Sequence, residues 1–304
     1  MAEPAPDFGR RYVRSWRDCA GMKEPWGRRK VTIDAPGGPY RVVGASDEQA
    51  EELRRSYAEY LSTSPAAGGA EIALRRASTS DFVEIDPRGW VYDFDLFFGP
   101  EGVWLAGNQG MGHVRLGPSP AATFWTSLTT GFSWVEFFEN ALRVLAVHRM
   151  LDRHSVLLHS AALAREGKAL LMVGNTGRGK TSLSRIGLEA GWQVMSDDLN
   201  ALTLGETGEL TVVKMPFAGE LGRTQSRAGE YPLMDLVLLD ENADGSSRLD
   251  PGKTTAALLS CCPFLNTDPH RVDRLMDLLT SLAAVRCLRP ISRKAVTELL
   301  QRGS

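Results

Sequence analysis

Alternation of apolar and polar positions is the first signal in this chain. VTID (31–34) and YRVVG (40–44) alternate on either side of a PGG turn and predict two short strands. Ser46 then opens DEQAEELRRSYAEYL, where Ser46 and Gln49 have capping-box spacing. Leu53, Tyr57 and Leu61 fall on one face, so a helix is expected to run on toward Pro65. Beyond residue 70 the period returns to two. DFVEID, GWVYDFDLFF, GVWLAG and HVRLG read as strands, with PRG and GPEG as turns. Trp90, Tyr92, Phe94 and Phe97 lie in these strands, and alternating aromatics are expected to fill a core rather than to form a substrate face. Ser133 is expected to cap a long helix, WVEFFENALRVLAVHRMLDRH, with an apolar stripe at Trp134, Phe138, Leu142 and Leu145.

After this helix the pattern changes. SVLLHSAALA and ALLMVG predict two strands joined by a REGK turn, followed by a helix over about 180–190 and the strand WQVMS. Further strands are expected at 200–204, 210–215 and 233–239, and helices near 252–262 and 270–288. Asp268 and Pro269 suit the start of the last one. The expected organisation is a poorly ordered segment (1–30), a sheet-rich N-terminal module (31–130) and an α/β domain (131–304).

Composition removes several function classes. The 304 residues are 43% hydrophobic and 24% charged, with a net charge of −2. That balance is globular and gives no basic bias toward nucleic acid. The cysteines Cys19, Cys261, Cys262 and Cys287 form no CxxC pair, so neither a zinc site nor a disulfide framework is expected. Cys261 and Cys262 read as a buried helix end. No signal-like apolar core opens the chain and no run of 18 apolar residues occurs, so the expectation is a cytoplasmic protein with no membrane partner.

The chemistry concentrates after residue 158. Gly174-Asn175-Thr176-Gly177-Arg178-Gly179-Lys180-Thr181, followed by Ser182, satisfies GxxxxGK[ST]. Glycines let successive N–H groups turn toward phosphate oxygens, and the helix that follows adds its positive end. Lys180 is expected to reach the β- and γ-phosphates and the Thr181 hydroxyl to ligate Mg²⁺. A preceding apolar strand and a following helix give the motif its required context. Asp197-Asp198 ends WQVMS, close to the loop; one acid can serve a metal while the other faces an acceptor hydroxyl, and the competing reading is a turn cap. If LLHSAALA pairs with ALLMVG, His159 lies at the γ-phosphate end, to bind phosphate or orient an acid–base partner; otherwise it is an ordinary core histidine.

The order of strand His, hairpin, P-loop and strand ending in Asp-Asp, from Leu158 to Leu202, resembles the catalytic domain of HPr kinase/phosphorylase. It is closer still to the HPr-kinase-like proteins found beside peptide-modification genes, and the wider fold family includes PEP carboxykinase. The resemblance implies a P-loop α/β catalytic domain with a mixed sheet and flanking helices, behind a smaller α+β, sheet-rich module. It implies ATP and Mg²⁺ as cofactors. Asp197 would receive the acceptor proton, Asp198 would position Mg²⁺, and His159 and Lys180 would complete the catalytic set. The family's Glu and Arg signature corresponds to KMPFAGELGRTQSR, where Glu220 would take the metal-side role and Arg223 or Arg227 the phosphate-side role. The N-terminal module has no match to that of the HPr enzymes.

These parts favour a kinase. No NKxD guanine-reading sequence or AAA-type sensor is evident, nor a long second acidic strand motif, whereas a carboxylate base beside a phosphate loop suits a hydroxyl acceptor. The expected activity is ATP-dependent phosphorylation of a Ser or Thr hydroxyl of a peptide or protein. The alternatives are a small-molecule kinase, a nucleotide-binding regulator without transfer, and phosphorolysis in reverse. A homo-oligomer is compatible with the apolar helix carrying Val272, Leu275, Leu279 and Leu282, although packing on its own sheet is the preferred reading.

Overall fold

The computed structural model describes residues 2–62, 68–85, 94–175, 177–217, 219–221 and 229–302. The chain is mixed α/β and divides into two compact units, Met1–Arg149 and Met150–Ser304. Among the described residues no helix is long and apolar enough to cross a membrane.

The first unit is built on one seven-stranded sheet in the order β1-β2-β3-β7-β6-β5-β4. Its strands are β1 (Arg29–Ile33), β2 (Tyr40–Ala45), β3 (Ala70–Arg76), β4 (Asp95–Gly99), β5 (Gly102–Gly107), β6 (Gly110–Arg115) and β7 (Ala121–Thr126). The β2–β3 and β3–β7 pairs are parallel and the remainder antiparallel. The capping box of α2 (Asp47–Ser56) forms as expected: Gln49 N donates to the Ser46 hydroxyl at 3.1 Å and Ser46 N to Gln49 Oε1 at 3.0 Å. The helix stops at Ser56, a 3₁₀ turn follows over Ala58–Tyr60, and Leu61 is 42% exposed rather than on the buried face. Over 81–85 the expected strand is absent: Asp81 ends a 3₁₀ turn (Thr79–Asp81) and Phe82 makes a single bridge to Val13. Trp90 and Tyr92 lie outside the described residues.

Three expectations change in this unit. The first thirty residues are not all poorly ordered. Ser15 caps α1 (Trp16–Gly21), and Tyr12, Val13, Trp16 and Cys19 are buried, with Trp16 packed at 5.3 Å on Trp104. The long helix α3 begins at Phe132, so Ser133 is inside it and not its cap. That helix also falls almost wholly in the first unit, not the second. Phe138 packs in that unit on Tyr57 and Phe124, each at 6.0 Å, and the division between the units falls after Arg149, within the last turn of the helix. The stripe Trp134, Phe138, Leu142 and Leu145 is fully buried.

The second unit is a seven-stranded mixed sheet. β8 (Ser155–Arg165) and β9 (Lys168–Val173) form the expected hairpin. β10 (Gln193–Ser196) and β11 (Leu199–Leu204) both pair antiparallel with β8, and β12 (Leu210–Lys214) continues to β13 (Glu230–Leu239). β9, β13 and β14 (Arg289–Ile291) are mutually parallel neighbours. α4 (Lys180–Glu189) and the C-terminal α7 (Arg293–Gln301) share a core in which Leu183, Val296 and Leu300 meet Leu163, Leu170 and Trp192. α5 (Pro251–Ser260) and α6 (Val272–Val285) complete the unit, with Leu275, Leu279 and Leu282 buried within the chain.

One partly buried group gives the first unit an acid-side weakness. The His113 ring stacks on Trp104 with centroids 4.2 Å apart. Burial, and then the nearby Arg115 charge, lower its pKa from 6.5 to about 4. Between those values the unfolded chain binds a proton that the folded chain refuses, so stability falls as pH falls through that window. His113→Gln is expected to flatten the drop in melting temperature between about pH 7 and about pH 4.5. An unchanged slope would show that other groups govern the acid response.

Candidate functional site

β8 is the strand on which the site is assembled. On one side Ser160 pairs with Val173 of β9, which brings His159 to the level of Gly174, the first P-loop glycine. On the other side β10 and β11 run along β8 in sequence, interrupted by Asp197-Asp198. The two acids fall between the pairs Ser196↔Ala162 and Leu199↔His159. They follow the end of β10 at Ser196, as the sequence predicts, and fill the gap before β11 takes up the same partner strand at Leu199.

A small polar network holds this interruption. The Ser196 hydroxyl accepts from the N–H groups of Asp198 and Leu199, both at 3.2 Å. Asn200 Nδ2 donates to Ser160 O at 2.9 Å and to its hydroxyl at 3.1 Å. Ser160, Ser196 and Asn200 are fully buried. Sequence reading missed them, although three polar residues in otherwise apolar strands were the available signal.

The acids point to different neighbours. Asp198 Oδ1 lies 3.1 Å from His159 Nδ1, and its charge is felt by Lys180. Asp197 is 5% exposed and its Oδ1 accepts from Leu221 N at 3.1 Å. Gly219 lies against both acids: a Cβ there would come within 2.5 Å of Asp197 Oδ1 and 2.9 Å of Asp198 Cβ. Glu220 directs its carboxylate to Arg185 of α4, at 2.5 Å, and both side chains are exposed.

The segment with the GxxxxGK[ST] spacing follows β9 directly. Gly177 and Gly179 both have φ +83°, where a side chain would be strained. Lys180 is the first residue of α4 and is buried; its Nζ donates to Gly174 O at 2.6 Å and Asn175 O at 3.3 Å. Burial lowers the Lys180 pKa, while Cys261 and Asp198 act in the opposite direction. Thr181 and Ser182 are partly buried in the first turn, and Asn175 and Arg178 are exposed. Thr176, Arg223 and Arg227 lie outside the described residues.

Two neighbours were not foreseen as part of the site. Cys261 ends α5, and its carbonyl accepts from His159 N at 2.7 Å. Asp240 follows LVLL at the end of β13, the parallel neighbour of the P-loop strand. A hydrophobic run ending in acid was legible in the sequence, but only the pairing shows which strand it adjoins. Asp240 Oδ1 accepts from Asn242 N at 3.1 Å, closing a local turn.

No group of three or more His, Cys, Asp or Glu residues able to hold a metal occurs among the described residues. A hydroxyl from Thr181 and a carboxylate from Asp198 nevertheless suit Mg²⁺, which binds through one or two protein oxygens and completes its shell with water and phosphate.

No protein-family model matches the chain, and no curated protein does. Among solved structures the chain is similar to the Hpr(Ser) kinase/phosphatase from Coxiella burnetii, at 18% identity over 31% of this chain and 71% of that chain, with a TM-score of 0.25. No residue role is drawn from a likeness of that depth.

Gly219 provides a test of the packing around the acids. Gly219→Ala is expected to cost about 1–3 kcal/mol in urea unfolding, because the methyl meets both aspartates. Gly252→Ala, in the first turn of α5, is expected to be neutral or mildly stabilising. Equal effects would contradict the close approach.

Proposed function

We propose that the chain is an ATP-dependent kinase that transfers the γ-phosphoryl group to a hydroxyl, of a Ser or Thr in a peptide or protein. The observation that carries this reading is the placement of the His159–Asp198 pair, Asp197 and the P-loop lysine along two adjoining strand junctions of one sheet.

The roles follow from the neighbours of each group. Lys180 leaves the Gly174 and Asn175 carbonyls to meet the β- and γ-phosphates, and the first N–H groups of α4 face the same charge. Thr181 and Asp198 would hold Mg²⁺, which would supply neutralisation of phosphate charge. His159 fixes the Asp198 carboxylate. Asp197, with one oxygen held by Leu221 N–H, takes the hydroxyl proton on the other. The acceptor oxygen forms the new P–O bond as the bond to the β-phosphate oxygen breaks, and ADP leaves. A desolvated base of this kind contributes on the order of 10²–10⁴ in rate.

The experiment is transfer from γ-labelled ATP with Mg²⁺ into peptide, protein and small-molecule fractions of a source-cell extract. Label in a peptide or protein fraction is expected with the wild type and lost with Lys180→Ala. Asp197→Asn should reduce transfer by about 10²-fold or more while nucleotide affinity stays nearly unchanged. Transfer at the normal rate by Asp197→Asn would remove the assigned base. Label confined to metabolites would redirect the reading to a small-molecule kinase.

A further inference from the structure

We propose that Arg293 is a nucleotide-binding residue, supplied by the C-terminal helix to the polyphosphate in the P-loop. The proposal rests on the reading that this loop holds a nucleotide.

Three observations converge on it. The first is placement. β14 pairs in parallel with β13, and β13 with the P-loop strand, through Leu239↔Ile291 and Leu238↔Val173. All three strands therefore end at the same edge of the sheet, and α7 starts there as α4 does. Ligands of parallel sheets bind beyond the carboxyl ends of their strands.

The second is contact. A Cβ on Gly179 would lie 3.3 Å from both Cζ and Nε of Arg293 and 3.4 Å from its Cδ. The guanidinium is therefore laid against the glycine that immediately precedes Lys180. Arg293 is exposed, and no carboxylate pairs with it among the described residues. The shared core of α4 and α7, with Leu183, Val296 and Leu300, fixes the two helix starts relative to each other.

The third is charge. α7 opens Ser292-Arg293-Lys294 and has no acid in its first turn. Helix N-termini carry positive partial charge and favour Asp or Glu, so two cations there are unfavourable for the isolated helix. An anion at that position reverses the sign. A phosphate lying over Gly179 meets the starts of α4 and α7, Lys180 and the planar donor fork of Arg293 together.

Arg293 thus adds a cation to the phosphate site, beside the role that the resemblance assigns to Arg223 or Arg227. Its exposure lets the variant fold, and its effect should grow with the number of phosphates.

The test is titration calorimetry of full-length protein with ATP, ADP and AMP in the presence of Mg²⁺. The variants are Arg293→Ala, Arg293→Lys and Arg302→Ala, the last an exposed arginine at the other end of the same helix. Arg293→Ala is expected to weaken ATP and ADP binding about tenfold or more, and AMP binding by much less. Arg293→Lys should recover part of the loss, and Arg302→Ala should match the wild type. If the wild type binds ATP and Arg293→Ala binds it equally well, the assignment of Arg293 is wrong while the nucleotide reading stands. An equal loss for all three nucleotides would overturn the phosphate role. If the wild type binds none of them, the nucleotide reading fails and takes this inference with it.

Discussion

The register of β8 between two partners is the constraint on which the candidate site depends. One edge pairs with the P-loop strand and the other with the interrupted strand that carries the two aspartates. His159 sits at the level of both junctions. Side chains alternate across a strand, so a slip of one residue in either pairing would turn His159 away from Asp198 or move Gly174 out of line. The hairpin turn at Glu166–Gly167 sets the first register, with both residues at positive φ. The buried Ser160–Ser196–Asn200 network sets the second. Each of these hydrogen bonds contributes only about 1 kcal/mol, but breaking one strands a buried polar group, which costs more.

The parallel strands provide the rest of the geometry. β9, β13 and β14 end together, and helices follow the outer two. The phosphate loop, Asp240 and Arg293 thereby come from segments far apart in sequence to one sheet edge. Lys180 is buried and turned onto the loop's own carbonyls, donating to Gly174 O and Asn175 O. In the proposed function a phosphate replaces those carbonyls as its partner.

Much of this was legible in the sequence where local physics decides. The capping box at Ser46, the β8–β9 hairpin, the glycine spacing of the P-loop and the stripe of α3 all depend on neighbours within a few residues. What was hidden depends on distant partners. AATFWT was not recognised as a strand although it forms a hairpin with β6; its other partner, β3, lies far earlier in the chain and makes it a central strand, apolar on both faces. β14 has three residues, too few to show a period. Asp197-Asp198 read correctly as the end of a strand, but periodicity cannot show that the next strand shares its partner. The first thirty residues looked irregular, yet Trp16 and Tyr12 are buried in an aromatic cluster with Trp104 and Trp125 that no helical or strand pattern announces.

The central claim is that a hydroxyl, and not water, receives the phosphoryl group. Turnover in water enriched in heavy oxygen tests it most directly, with the phosphorylated products and free phosphate analysed by mass. The account predicts a phosphate ester whose phosphoryl oxygens carry no label from the solvent, formed in step with ADP. Free phosphate carrying one solvent oxygen for every ADP released, with no ester formed from any fraction of the cell extract, would contradict it.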